Sequence, residues 1–265
     1  MKYAVNCSIL FTELPLLERP AAAKAAGFDF VEFWWPWDRA VPTDEEVDAF
    51  VAALKDADVQ LIGLNLFAGD MPGGDRGLVS WIARAEEFEA NLPVVVRIAK
   101  ATGCQAFNAL YGLRQDGEDP TEADELALAN IAKAARAVAE VEGVILVEPV
   151  SGAEAYPIKT AAEALEVVRA VRDAHGVLNV GFLCDLYHLA ANGDDVVNVA
   201  KVKGKDSAHV QIADFPGRGE PGTGELDLQE LLDMLHAGGY DGYVALEYKP
   251  TVATAESFGA LPTLK

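Results

Sequence analysis

Three features of the sequence predict a single-domain (β/α)8 TIM barrel over residues 1–265. Short runs rich in β-branched and aromatic residues alternate with alanine-rich amphipathic stretches, the rhythm of parallel strands joined by helices. Eight such beats share 265 residues, about 33 per unit, the length of strand, loop, helix and return in a closed barrel. No G-x-G-x-x-G or G-x-x-x-x-G-K-S/T follows the first run, so the phosphate-cradling turn of many open doubly wound sheets is missing, and no Ser/Gly/Pro-rich linker divides the chain.

The elements follow in order. The first strand is expected over residues 3–8, where Tyr3-Ala4-Val5 leads into a polar Asn6-Cys7-Ser8 break, and the second over 30–33, Phe-Val-Glu-Phe. Apolar runs at 60–65, 106–109, 144–148, 180–185, 208–211 and 242–247 supply the remaining six. Helical periodicity occupies 43–57, 82–102, 121–141, 160–172 and 227–236. Gly27, Gly103, Gly143, Gly176 and Gly239 fall at helix ends just before strands, where a left-handed C-cap is least costly for glycine. Residues 251–265 are short for an eighth helix, so closure there is expected from an irregular tail or a partner subunit, which leaves a homo-oligomer open.

Composition excludes whole classes of function. Forty-two Asp plus Glu against 21 Lys plus Arg give a formal charge of -21 and a pI near 4.4, so neither nucleic acid nor an anionic membrane surface is an expected partner. Hydrophobic content of 51% is that of a folded globular chain. The opening MKYAVNCSIL is too short and interrupted for a secretory apolar core, and no run approaches the roughly 20 apolar residues of a membrane helix. Cys7, Cys104 and Cys184 are odd in number and set in apolar runs, as free thiols of a reducing cytoplasm would be.

Strands of such a barrel are buried on both faces, so a polar residue at a strand's carboxyl end carries information. Four consecutive strands end this way, at Glu148, Asp185, Gln211 and Glu247, separated by 37, 26 and 36 residues, each about one βα unit. The four tips are therefore expected side by side at the barrel mouth. Three carboxylates brought together raise one another's pKa and repel unless a cation sits among them. An all-oxygen donor set favours Mg2+ or Mn2+ over Zn2+. Helix capping or pairing with surface Lys and Arg is the competing use for such acids.

These residues carry a family resemblance. Glu148-Pro149, Asp185-Leu186-Tyr187-His188, the stretch from His209 through Asp214, Pro216 and Arg218 to Glu225, and Glu247-Tyr248-Lys249-Pro250 resemble the hydroxypyruvate isomerase family of the xylose-isomerase-like TIM barrels. Val31-Glu32-Phe33 and Asn65-Leu66-Phe67-Ala68-Gly69-Asp70 extend the resemblance over residues 3–250. It implies that Glu148 and Glu247 are the proton-transferring pair and that Glu148, Asp185, Gln211 and Glu247 form a metal position. The chain departs from many superfamily members at Gln211, where they carry histidine; an amide oxygen still suits Mg2+, and the metal is not taken as obligatory.

The implied reaction interconverts hydroxypyruvate and 2-hydroxy-3-oxopropanoate (tartronate semialdehyde), an aldose-ketose type isomerisation through an enediolate. His188, three residues beyond Asp185, is placed to donate to a substrate oxygen or to be a buried structural histidine. An anionic substrate needs a cation: Arg218, between Gly217 and Gly219, is the first candidate and Lys249 the second, against solvent exposure for both. The run 216–224 is either a lid or a long connection. His209 serves the barrel core or supports the site, and Asn65, Asn108 and Glu32 line the pocket or cap loops. Trp34, Trp35 and Trp37 wall the pocket, form an oligomer contact or pack on neighbouring loops. His175 and His236 are placed at helix ends. Rival readings are a 2-oxo-tetronate isomerase or ketose 3-epimerase using the same glutamates, a non-catalytic sugar-binding domain, and an apurinic endonuclease, against which the charge and the four histidines count.

Overall fold

In the computed structural model, which describes residues 1–265, eight parallel strands pair in chain order. They are β1 (Lys2–Asn6), β2 (Phe30–Phe33), β3 (Gln60–Asn65), β4 (Ala106–Asn108), β5 (Val144–Val147), β6 (Val180–Asp185), β7 (Ser207–Ile212) and β8 (Tyr243–Leu246). Pairing of β8 with β1, Tyr3 opposite Val244 and Ala4 opposite Ala245, closes the barrel. All eight expected strands are present, β2, β3 and β6 with the expected ends and the others displaced by at most two residues; β1 stops at Asn6 because the chain turns there, Leu10 N donating to the Asn6 carbonyl at 3.0 Å.

The five periodic stretches appear as α2 (Asp44–Asp56), α3 (Ala85–Thr102), α4 (Pro120–Val138), α5 (Ala161–His175) and α8 (Leu228–Ala237). Capping boxes start α2 at Thr43 with Glu46 and α5 at Thr160 with Glu163. Three further helices, α1 (Arg19–Ala25), α6 (Leu186–Ala191) and α7 (Val196–Lys203), span six to eight residues, too few turns for an apolar stripe to stand out. Of the five expected glycine caps, Gly27, Gly103, Gly176 and Gly239 have positive φ, but Gly143 does not; Glu142 takes the left-handed position at φ 56°. Gly143 is instead required by contact, because a Cβ there would lie 2.7 Å from the Phe107 ring and 2.8 Å from Val138.

Side chains alternate across each strand, and the inward set changes character with height. At the amino-terminal end Ala4, Ile62 and Ala245 pack with Phe30 and Tyr243, whose rings lie 4.8 Å apart. Two residues further along β2 and β8 the same face presents Glu32 and Glu247. The barrel is thus plugged with hydrocarbon below and polar above. Most apolar burial lies between strands and helices, where Phe33, Phe50, Phe107 and Phe182 are buried.

The tail completes the closure from within the same chain. Phe258 packs edge-on against Phe28 at 4.8 Å and lies near Phe11 and Tyr248, while Tyr3 Oη donates to the Pro262 carbonyl at 2.8 Å. All three cysteines are buried free thiols. No helix is long and apolar enough to cross a membrane.

Candidate active site

A cleft of about 1300 Å³ opens at the carboxyl ends of the strands, with Glu148, His188, Arg218, Glu247, Asn65 and Lys249 in its wall. Barrel strands deliver their tips to this end, which is why side chains distant in sequence meet there. Glu148, Asp185 and Glu247 are only 4%, 1% and 3% exposed, so their mutual repulsion is not screened by water.

Glu247 is held on both oxygens. Trp34 Nε1 donates to Oε1 at 2.7 Å, Asn6 Nδ2 at 3.0 Å and Gln211 Nε2 at 3.3 Å. Arg218 Nη2 pairs with Oε2, and Arg218 Nε donates to the Glu247 carbonyl at 3.3 Å. Glu148 has fewer partners: Asn108 Nδ2 donates to Oε2 at 2.7 Å, and His188 Nε2 stands 3.9 Å from Oε1. Burial, then Glu247 and Asp185, push the Glu148 carboxyl well above the usual carboxylate range. Burial raises Glu247 to about 7 against the opposing pull of Arg218, with Asp185 adding to the rise.

His188 is oriented by the β5 loop. The Ser151 backbone N–H donates to Nδ1 at 3.0 Å, so Nδ1 bears the lone pair and the neutral ring carries its proton on Nε2. Burial keeps the ring neutral, lowering its pKa to about 4 although Asp185 opposes the shift. The Nε2–H points between Glu148 Oε1 and Asp185 Oδ2, 3.9 Å from each. Asp185 also caps α6, its Oδ1 accepting from His188 N at 2.9 Å, so capping and site roles coexist in one carboxylate.

Beneath Glu247 lies a second buried acid. Glu32 accepts from Asn6 Nδ2 at 2.9 Å and Gln211 Nε2 at 2.6 Å, and His209 Nε2 lies 2.8 Å from its other oxygen. Asn6 and Gln211 therefore each bridge Glu32 to Glu247. His209 belongs to this support, one layer below the cleft. Gln211 meets Glu247 through its amide nitrogen, which leaves Oε1 buried without a hydrogen-bond partner.

Glu148, Asp185, His188 and Glu247 each place a ligand atom within 4.8 Å of the others, a cluster able to hold a metal ion. With the His188 proton on Nε2 the ring is a donor, and the ligating atoms are the three carboxylates. Gln211 Oε1, buried without a hydrogen-bond partner, is a further oxygen of the kind such an ion takes. The residues fit a hard divalent cation.

Arg218 sits at φ 61°, inside a loop built around Asp214. The Asp214 carboxylate accepts from the backbone N–H groups of Phe215 at 2.9 Å, Leu226 at 3.1 Å and Gly222 at 2.8 Å. The stretch 216–224 is thus braced internally. Lys249 is exposed and tied to this loop through its backbone N–H, 2.7 Å from the Arg218 carbonyl. Asn65 ends β3 buried in the cleft wall, and Asn108 supports Glu148. Trp34 joins the site; Trp37 packs on Phe50 at 5.7 Å and Trp35 on Trp37 at 5.1 Å. His175 ends α5, and His236 Nδ1 lies 3.2 Å from the Tyr240 carbonyl near the end of α8.

Sequence reasoning missed Asn6, Ser151, Asp214 and Tyr187. Asn6 was within reach, since it ends a strand as Glu148 and Glu247 end theirs. Tyr187 lies under the Arg218 guanidinium at 5.3 Å, a cation–π contact with no signature of its own in sequence.

The Xylose isomerase-like TIM barrel family profile matches residues 20–264. A Streptomyces coelicolor protein named "Putative hydroxypyruvate isomerase" is 52% identical over 98% of this chain and 95% of its own length. The Haemophilus influenzae 2-oxo-tetronate isomerase is 33% identical over 94% of this chain and 93% of its own. A crystal structure from Brucella melitensis, described as an AP endonuclease of family 2, is 32% identical and superposes with a TM-score of 0.87 over 98% of this chain and 97% of that one. With this match over nearly the whole chain, and with carboxylates at the tips of β5, β6 and β8, the protein belongs to the xylose isomerase-like TIM barrel family.

Proposed function

We propose that the protein isomerises hydroxypyruvate and 2-hydroxy-3-oxopropanoate by proton transfer between Glu148 and Glu247. The observation that carries this reading is a pair of buried carboxyl groups from opposite sides of one cleft, in unequal hydrogen-bonding surroundings. Glu247, beside Arg218, is the better carboxylate and acts as the base; Glu148, kept protonated by burial, is the acid.

The base takes a proton from C3 and the electron pair moves through C2 onto the C2 oxygen, giving an enediolate. His188 donates from Nε2 to that oxygen. The 3-hydroxyl then gives its proton to His188 Nε2, which had lost its own to the C2 oxygen, as the C3 carbonyl forms and Glu148 delivers its proton to C2. Transfer of one proton from Glu247 to Glu148 restores the site. A bound Mg2+ or Mn2+, held by Glu148, Asp185, Glu247 and Gln211 Oε1, would supply charge stabilisation for the oxygens of the intermediate. Lys249 at the rim and Asn65 in the wall are placed to contact the substrate, and the Arg218 Nη1 group, which has no protein partner, is a donor to its reacting end.

The volume of the cleft supports a second reading, in which the same glutamates act on a four-carbon 2-oxo-tetronate or, by epimerisation at C3, on a ketose. The charge of -21 argues against a nucleic-acid substrate in either case. Turnover should be measured on hydroxypyruvate, 2-oxo-tetronate and six-carbon ketoses under one condition. The three-carbon acid is expected to give the highest kcat/KM, and inactivity on it with turnover of a longer substrate would replace the first reading by the second.

A further inference from the structure

The substrate proposed above carries a carboxylate, and an acidic protein must offer it a cationic seat. Three arginines line the cleft: Arg19, Arg76 and Arg218. They differ in which edge of the guanidinium the protein already uses. Arg218 spends Nε and Nη2 on the carbonyl and carboxylate of Glu247. Arg19 spends Nε on the Leu14 carbonyl and Nη1 on the Cys7 carbonyl, each at 3.0 Å. Arg76 is held through Nη1 alone, which donates to the carbonyls of Asp75 at 2.6 Å and Met71 at 3.0 Å.

Arg76 is thus the one arginine of the cleft whose Nε–Nη2 edge, the side-on fork that matches two carboxylate oxygens, meets no protein acceptor and whose charge has no acid beside it. The loop that carries it is braced. Asp75 Oδ2 accepts from Asp70 N and from Arg84 Nη1, each at 2.8 Å, Asp70 Oδ1 accepts from Gly73 N at 3.0 Å, and Gly77 N donates to the Ala68 carbonyl at 2.9 Å. The acids nearest to Arg76 in sequence are therefore occupied, and the guanidinium is fixed before any ligand arrives.

We propose that Arg76 is the receptor for the substrate carboxylate, binding it side-on through Nε and Nη2 and selecting 2-oxo and 2-hydroxy acids over neutral sugars. This inference rests on the isomerase reading for its substrate class. It gives Arg76 the carboxylate that sequence assigned to Arg218, and leaves Arg218 to Glu247 and the reacting oxygens.

The test separates binding from turnover. Tartronate, a three-carbon hydroxy diacid without a carbonyl to isomerise, is titrated by calorimetry into the wild-type protein and into Arg76→Gln, Arg76→Lys and Arg19→Gln. Wild type and Arg19→Gln are expected to bind, Arg76→Gln to bind about a hundredfold more weakly, and Arg76→Lys, which keeps the charge but loses the fork, about tenfold more weakly. In parallel, kcat/KM of Arg76→Gln should fall about a hundredfold on hydroxypyruvate and stay unchanged for interconversion of the neutral trioses dihydroxyacetone and glyceraldehyde. Equal losses on acid and neutral substrates, tartronate binding that survives Arg76→Gln, or no tartronate binding by wild type would overturn the assignment. A wild-type protein inactive on every three-carbon acid would defeat the isomerase reading on hydroxypyruvate alone, because the tartronate titration judges Arg76 independently.

Discussion

Glu148 accepts one side-chain hydrogen bond, from Asn108, whereas Glu247 accepts from Trp34, Asn6, Gln211 and Arg218. The difference sets their roles, because each donor favours the ionised form and burial favours the neutral one. Replacing Glu148 by Gln keeps size and burial while removing the proton that the reaction moves. Glu148→Gln and Glu247→Gln should each lower kcat by about 10²- to 10⁴-fold. Glu148→Gln should leave the melting temperature unchanged or higher, since it removes a carboxyl whose ionised form the site disfavours; activity close to wild type in both variants would remove the two glutamates from the acid and base roles. Strand tips such as Glu148, Asp185, Gln211 and Glu247 were legible because an apolar run that ends in an acid or amide has few explanations. Asn6 was obscured by Cys7 and Ser8, which made it look like part of a turn. Arg76 was hidden more deeply: nothing in a loop sequence tells which edge of a guanidinium its own carbonyls will occupy.

The connection from β7 to α8 shows how a glycine- and proline-rich segment acquires rigidity. Its composition allowed either a lid or a passive link, yet three backbone N–H groups converge on Asp214. Gly224 permits this convergence, since a Cβ there would lie 2.5 Å from the Asp214 carboxylate. Asp214→Asn should destabilise the protein by about 1–3 kcal/mol in urea unfolding, because an amide cannot accept the same three donors at both positions. It should also lower kcat, as Arg218 loses its mount; unchanged kinetics would show that Arg218 is positioned by Glu247 and Tyr187 without the loop. The tail is the other element that composition left undecided. Its ring contacts predict that Phe258→Ala costs about 2 kcal/mol, measured by the same unfolding. The longer helices were visible as stripes, while α1, α6 and α7 fall below the length at which a stripe differs from chance.

Across the whole molecule the charge of -21 and the buried Glu148 and Glu247 act in one direction as pH rises. The folded pKa values of Glu148 and Glu247 lie above those of the unfolded chain, where a glutamate titrates near about 4.3. The folded state therefore binds more protons, and their contribution to stability, complete below that pH, is lost as pH rises through the raised folded values, about 7 for Glu247. His188 has the opposite sign: its folded value near 4 against an unfolded value near 6.5 makes stability rise with pH between the two. Above pH 6.5 only the glutamates remain. The melting temperature of the EDTA-treated protein should fall from pH 6.5 to 8, less steeply in Glu148→Gln, and Mg2+ or Mn2+ should restore more of it at pH 8 than at pH 6.5. Equal slopes with and without Glu148 would remove this account.

The hydrogen bond from Asn6 to Glu247 joins the first strand to the last across 241 residues. Five more strands supply Glu32, Asn108, Glu148, Asp185 and Gln211, so the ring of polar groups is complete only when strands from both halves of the chain meet. Catalytic competence is consequently a reporter of annealing at the seam between β8 and β1. During refolding, recovered turnover should lag behind recovered helical circular dichroism, and a split protein should regain activity only by complementation of its halves.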